Sequence, residues 1–402
     1  MRICLHTYYE IGNPYIGGTQ TLLIKLAKEL KILGHDAFVV CSSLNPHFVI
    51  EGVDIFGVIP KQYIPSLQMN YGGIPSSKFL KEVLFEGEEI SNALTKLADY
   101  SFEQYAHFNA DIYHLNSYVA ACSHDITTPI VAYQHENELE FDGFWGDGAF
   151  SQLISFIKQK TSKKHPSPLL FTASRYYSIL FEKIFGYPVL SIPLGVQLND
   201  MPYEKIVSYK EDTSFGRNPS SIVILIPSRF NIKQKGQDLA ILACEKLLSA
   251  GYAIELVFSG IKNSLLPELE NFRLRYRSLH IANHMHFISA NNMHELYKCA
   301  HIVLSPERYC SYGLSISEAL SMGIPTVLSD IPTYVEIASG YQHAFFFQKD
   351  NLDNLTFQLE HVIKTAQLNN FRYNSSAIEF RINNDIRKTA VAFSNVYTKL
   401  LQ

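Results

Sequence analysis

The 402-residue chain has no close pair of cysteines, no long apolar run and no excess of charge of one sign. Its six cysteines (Cys4, Cys41, Cys122, Cys244, Cys299, Cys310) are scattered, without a CxxC or a zinc-type spacing. That excludes a disulfide framework and a zinc module, and most of them read as free buried thiols in a reducing compartment. No apolar stretch approaches the ~18–20 residues that a membrane-spanning helix requires. Met1-Arg2-Ile3-Cys4-Leu5 runs straight into a strand pattern without signal-peptide organisation, so the expected location is cytoplasmic, at most peripheral at the inner face of a membrane. A formal net charge of −4 argues against a nucleic-acid partner, which needs a broad basic face.

What is present is a well-packed composition, 47% apolar and 18% charged, in a chain long enough for two domains. Strand-like and helix-like segments alternate throughout. Residues 2–7 read as a strand, and 21–33 place Leu22, Leu23, Leu26, Ala27 and Leu30 on one helical face. Residues 37–40, 111–115, 130–134, 169–173 and 189–193 continue the strand series. The pattern breaks into polar, Pro- and Gly-containing sequence over 198–221 and restarts at 222–227, followed by strands at 255–259, 285–288, 302–304 and 326–328. Such βαβα order predicts an α/β protein with parallel sheets covered on both faces. The expected organisation is two doubly wound Rossmann-like domains, 1–197 and 198–384. The helical pattern of 385–402 forms a final element.

In open α/β sheets ligands bind beyond the carboxyl ends of the strands, where loops enter helices. Gly17 and Gly18 occupy such a loop, where glycine lets backbone approach a phosphate or sugar; a plain flexible turn explains them equally well. Arg229 follows the strand at 222–227, and Lys235-Gly236 lies at the start of the next helix. Two cations in a strand-to-helix loop suit a diphosphate and would neutralise charge on a leaving group, against the alternative of a solvated charge pair. His135 ends the strand at 130–134 and could hydrogen-bond a hydroxyl or phosphate; His114 is a similar, weaker candidate, and a lone histidine is more often structural. Glu318 begins the helix after Tyr312-Gly313-Leu314. A carboxylate there either compensates the helix dipole or accepts from two vicinal ribose hydroxyls.

Together these residues resemble the retaining glycosyltransferases of family 4. The resemblance runs through Gly17-Gly18-Thr19-Gln20, Leu33-Gly34-His35-Asp36, Asp111-Ile112-Tyr113-His114, Val131-Ala132-Tyr133-Gln134-His135, Thr172-Ala173-Ser174 and Ile192-Pro193-Leu194-Gly195-Val196. It continues through Ser228-Arg229, Lys235-Gly236 and Glu318-Ala319-Leu320-Ser321-Met322-Gly323-Ile324-Pro325. It implies the GT-B fold, with the two domains facing a central cleft and the 385–402 helix crossing back to the N-terminal domain. It also implies transfer of a sugar from a nucleotide-sugar donor, UDP favoured over GDP, to a glycan, lipid-linked or other glycoconjugate acceptor. By the same resemblance Arg229 and Lys235 hold the donor diphosphate and Glu318 binds the ribose. The amides of Tyr312, Gly313 and Leu314 lie beside the phosphates or sugar, with Gly17 and Gly18 against the diphosphate. His135 meets the sugar or β-phosphate, and the nucleobase rests by Ile288 and Ser289. Front-face transfer of this class lets the departing diphosphate take the acceptor's proton. No cofactor is implied, and without an Asp-x-Asp motif no catalytic metal is expected.

One position departs from the family. Its members carry two glutamates eight residues apart, the first contacting the donor sugar, and here that first position is Cys310. A thiol is a poor acceptor. Either Cys310 accompanies an unusual sugar, or nearby Glu307 swings in, or the site is weakened. Two alternatives therefore stand beside the transferase: a degenerate GT-B protein acting as a binding partner, and a sugar-nucleotide epimerase using Glu136, Glu138 and Glu140. For the acceptor, the aromatic residues of 62–110 read first as helix core and second as sugar-stacking surface. Lys158, Lys160, Lys163 and Lys164 suit either a solvated helix end or peripheral contact with anionic lipid.

Overall fold

The computed structural model describes residues 1–11, 18–71, 80, 82, 89–122, 127–134, 142, 147–161, 167–197, 221–260, 266–288, 293–368 and 375–402. The chain forms two compact units, Met1–Gly195 with Ile386–Gln402, and Val196–Asp385.

In the first unit eight strands form one sheet: β1 (Arg2–His6), β2 (Asp36–Cys41), β3 (Phe48–Ile50), β4 (Val53–Gly57), β5 (Ile112–Leu115), β6 (Ile130–Gln134), β7 (Leu169–Thr172) and β8 (Val189–Ser191). Their order is β3-β4-β2-β1-β5-β6-β7-β8, so the winding reverses between β1 and β5. All pairs are parallel except β3 with β4, an antiparallel hairpin that the expectation of wholly parallel sheets did not include. Glu51 and Gly52 make its two-residue turn with φ of 50° and 78°, the left-handed pair that matches strand twist in tight hairpins. Helix Gly18–Ile32 buries Leu22, Leu23, Leu26, Ala27 and Leu30, and packs with helix Ile386–Leu400, which buries Ile386, Ala390, Phe393 and Tyr397. Ser174 caps helix Arg175–Phe185 by accepting from the Tyr177 amide at 3.1 Å, and Gly186 closes it at φ 66°.

A polar network fills the carboxyl ends of β1 and β2. Gln104 Nε2 donates to Ser42 Oγ at 2.9 Å and to the Val58 carbonyl at 2.7 Å. Its Oε1 therefore faces His6 Nε2, 2.9 Å away, which fixes the proton of the neutral ring on Nε2. Ser42 Oγ donates to the Tyr8 carbonyl at 2.6 Å and contacts Tyr100 Oη at 2.9 Å. His6 has no exposed surface. Burial lowers its pKa from 6.5 to about 4, and the Gln104 hydrogen bond opposes that shift.

The second unit carries six parallel strands, β9 (Ile222–Ile226), β10 (Ile254–Phe258), β11 (Met285–Phe287), β12 (Ile302–Ser305), β13 (Thr326–Ser329) and β14 (Ala344–Phe347). Their order, β11-β10-β9-β12-β13-β14, starts at the centre, winds outward to β11 and returns to build the other half from β12. This is the doubly wound dinucleotide-fold order, with its switch point between β9 and β12. β9, β10, β12 and β13 are buried throughout, as strands covered on both faces must be. One face packs Ile224, Ile226, Leu256 and Leu304 against helices Gln237–Ser249 and Leu352–Leu368; the other packs Val223, Leu225 and Val303 against Tyr297, Ala319 and Met322.

Because the folded pKa of His6 lies below that of the free imidazole, the unfolded chain binds more protons between pH 6.5 and 4. The stability held by the neutral ring is complete above that window and declines as pH falls through it, by roughly 2 kcal/mol at pH 5. Urea denaturation at pH 7 and pH 5 should show the wild type losing about that much more than His6→Gln does.

Candidate donor site

The site is assembled where β9 and β12 lie side by side. Beyond β9 the chain passes Ser228 and the exposed Arg229 to Asn231, whose Oδ1 accepts from the Gln234 amide at 3.3 Å and starts the short helix Ile232–Lys235. Gly236 then turns the chain at φ 64° into helix Gln237–Ser249. A Cβ on Gly236 would lie 2.1 Å from the Pro306 carbonyl oxygen, so only glycine allows the two loops to close on each other. The Arg308 amide donates to the Gln234 carbonyl at 2.8 Å. The Arg308 guanidinium fastens the same joint through both Asp238 oxygens, at 3.1 and 3.0 Å, and through Asp350 at 2.7 Å.

The two cations meet different surroundings. Arg229 Nη2 donates to Gln234 Oε1 at 2.8 Å and, among the described residues, Arg229 makes no ion pair. Gln237 Nε2 holds the Arg229 carbonyl at 3.0 Å. Lys235 Nζ lies 2.6 Å from Glu307 Oε2, in a pair whose side chains are 12% and 3% exposed. Glu307 therefore turns toward Lys235. Breaking one partner of a buried pair typically costs ~3–5 kcal/mol, so this contact fixes the β12 loop against the β9 loop.

Further along the β12 loop, Thr333 Oγ1 donates to the Cys310 carbonyl at 2.9 Å, and Cys310 and Tyr312 are buried. Gly313, at φ 116°, precedes helix Leu314–Ser321, and among the described residues no side chain caps that helix N-terminus. Its first amides are thus available to an anion. Glu318 does not begin this helix, as the sequence suggested, but sits one turn inside it. Its Oε2 accepts from Tyr297 Oη at 3.0 Å, and the same hydroxyl lies 3.0 Å from the Ser315 carbonyl. Burial, then the Glu318 charge, holds the Tyr297 hydroxyl well above its ordinary pKa, so it stays a donor and fixes the carboxylate. Half-buried Ile288 follows β11, its amide on the Phe258 carbonyl at 2.8 Å.

Arg229, Lys235 and Cys310 are thus brought to one joint, with Tyr312, Gly313 and Leu314 continuing from it. In the first unit Gly18 is the exposed first residue of helix Gly18–Ile32, just past β1. Gly17, His135 and Ser289 lie outside the described residues, as do Glu136, Glu138, Glu140, Lys163 and Lys164. His114 is a packing group: its Nδ1 lies 2.6 Å from Tyr397 Oη, with Phe393 edge-on at 4.7 Å. Tyr100 and Tyr105 of helix Ile90–Tyr105 are likewise core. Among the described residues no group of three or more His, Cys, Asp or Glu is arranged to hold a metal, and no helix is long and apolar enough to cross a membrane. Sequence reasoning missed Gln234, Gln237 and Tyr297, whose neutral side chains carry no signal until their partners are placed.

Residues 209–377 match the family described as glycosyl transferases group 1. The chain is 23% identical to an uncharacterized glycosyltransferase of Methanocaldococcus jannaschii, over 90% of this chain and 89% of that one. It is 22% identical, over 88% and 84% of the two chains, to a GDP-mannose-dependent alpha-(1-6)-phosphatidylinositol dimannoside mannosyltransferase of Mycobacterium tuberculosis. Among solved structures it resembles sucrose-phosphate synthase of Thermosynechococcus elongatus, with a TM-score of 0.74 at 12% identity over 99% and 98% of the chains. It also resembles Anabaena HepE in complex with UDP-glucose, with a TM-score of 0.67 at 14% identity over 99% and 100%. The fold is therefore GT-B, two Rossmann-like α/β units.

The closure of the two loops can be tested at Gly236. Gly236→Ala forces a methyl into the Pro306 carbonyl and should cost more than about 3 kcal/mol. Gly251→Ala shares a positive φ, 93°, but meets open space, and should cost only about 1 kcal/mol. Urea denaturation of both variants reads the difference directly.

Proposed function

We propose that the protein transfers a sugar, with retention, from a nucleotide-sugar donor to a glycan, lipid-linked or other glycoconjugate acceptor, through family 4 chemistry. The observation that carries this is the Arg229–Lys235 segment at the carboxyl end of β9, seated at the switch point within the region that matches group 1 transferases. Arg229 and Lys235 stabilise charge developing on the leaving diphosphate, and the Leu314 helix terminus adds backbone donors. Glu318, steadied by Tyr297, accepts from the ribose hydroxyls. The departing diphosphate takes the acceptor's proton, so positioning and electrostatics carry the catalysis. UDP is the nucleotide favoured, in line with the UDP-glucose complex of HepE; the mycobacterial mannosyltransferase keeps GDP as the competitor.

A binding-only protein is the second reading, and one observation favours it: Glu307 already occupies Lys235, beside Cys310 in the place of a family carboxylate. Release of nucleoside diphosphate across UDP- and GDP-sugars, with parallel thermal shifts, separates the two. Transfer with one donor is the expected result. Binding without turnover would favour the second reading, and silence in both assays would overturn the first.

Arg229→Ala is the cleaner variant for turnover, because removing Lys235 strands a buried carboxylate. It should lower kcat/KM by about 30- to 1000-fold, equivalent to ~2–4 kcal/mol of leaving-group stabilisation. Its exposed, neutral-partnered side chain should leave the melting temperature nearly unchanged.

A further inference from the structure

Gln234 is nearly inaccessible to solvent at 1% exposure, yet its side chain serves no apolar core. Its Oε1 accepts from Arg229 Nη2 at 2.8 Å, and its Nε2 faces the Tyr309 carbonyl at 3.5 Å. Guanidinium only donates and carbonyl only accepts, so both neighbours impose the same orientation on the amide. Its backbone is held as firmly, the amide by Asn231 Oδ1 at 3.3 Å and the carbonyl by the Arg308 amide at 2.8 Å. The glutamine thus ties the exposed cation of the β9 loop to the β12 loop just ahead of Cys310.

The chemistry of the tether matters as much as its geometry. Lys235 is held by a carboxylate, which neutralises it. Arg229 is held by a neutral amide, which restrains the guanidinium and, among the described residues, leaves its full positive charge and its remaining N–H groups for an anion. An acidic residue at 234 would hold Arg229 as well and cancel its charge.

We propose that Gln234 is a positioning residue that presents Arg229, fully charged, to the outer phosphate of a nucleoside diphosphate. This rests on the proposal that Arg229 meets the donor diphosphate. The test is binding of UDP and GDP against UMP and GMP to the purified full-length protein, by calorimetry, for wild type, Arg229→Ala, Gln234→Leu and Gln234→Glu. The wild type should prefer the diphosphate that matches its base, and Arg229→Ala should bring the diphosphate-to-monophosphate affinity ratio close to one. Gln234→Leu should lower that ratio about tenfold with monophosphate affinity unchanged. Gln234→Glu, which keeps the size and the acceptor, should lower it at least as far. A merely structural glutamine would instead weaken both ligands equally. A wild-type ratio in a folded Gln234→Leu or Gln234→Glu protein, with the ratio lost in Arg229→Ala, would overturn the role of Gln234 alone. An undiminished ratio in Arg229→Ala would overturn both the site assignment and the role built on it.

Discussion

The pairing of β9 with β12, which sets Ile302 beside Ile224 and Val303 beside Leu225, is the constraint on which the second unit's chemistry depends. The strands are neighbours in space although two strand–helix turns separate them in the chain. Each delivers its following loop to the same end of the sheet. Residues 229–236 and 306–314 meet there because parallel register leaves them nowhere else to go. The loops themselves are then joined by features that tolerate little change: a glycine pressed against a carbonyl, a buried ion pair and a twice-bonded glutamine.

This joint separates two kinds of positive charge. A carboxylate-bound lysine lends rigidity, since its amine and Glu307 are both withdrawn from water. An amide-bound arginine stays exposed and, among the described residues, unneutralised. In the proposed site, electrostatic work on an incoming anion would fall first to Arg229, while Lys235 is already paired with the loop that carries Cys310. Cys310, where the resembled family carries a carboxylate, and the Glu307 contact belong to one short segment of the proposed donor site.

Much of the architecture was legible in the sequence because buried parallel strands are written as short β-branched runs, as in Ile222–Ile226 and Ile302–Ser305. The β3–β4 hairpin was not, since its strands are short, half-exposed and share a Glu51-Gly52 turn outside the usual Asn-Gly or Asp-Gly pairs. β14, Ala344–Phe347, escaped because a lone aromatic run does not distinguish an edge strand from a helix segment. Arg229, Lys235 and Glu318 could be singled out by charge and by place in strand-to-helix loops. Gln234, Gln237 and Tyr297 could not, because a neutral hydrogen-bonding side chain acquires its meaning only from its partners, which lie from five to 75 residues away in the chain.

The first unit is discontinuous: its helix Ile386–Leu400 is supplied by the end of the chain, after the whole of Val196–Asp385. On a ribosome the apolar seat for Phe393 and Tyr397, formed in part by His114 and Tyr133, exists long before its occupant. At about 5–20 residues per second, making the intervening 190 or so residues takes on the order of 10–40 s. For that interval the second unit can close on its own contiguous segment, while the first waits with an open apolar surface. The unit synthesised first is therefore the last to be completed, and its exposure to aggregation is set by the length of its neighbour.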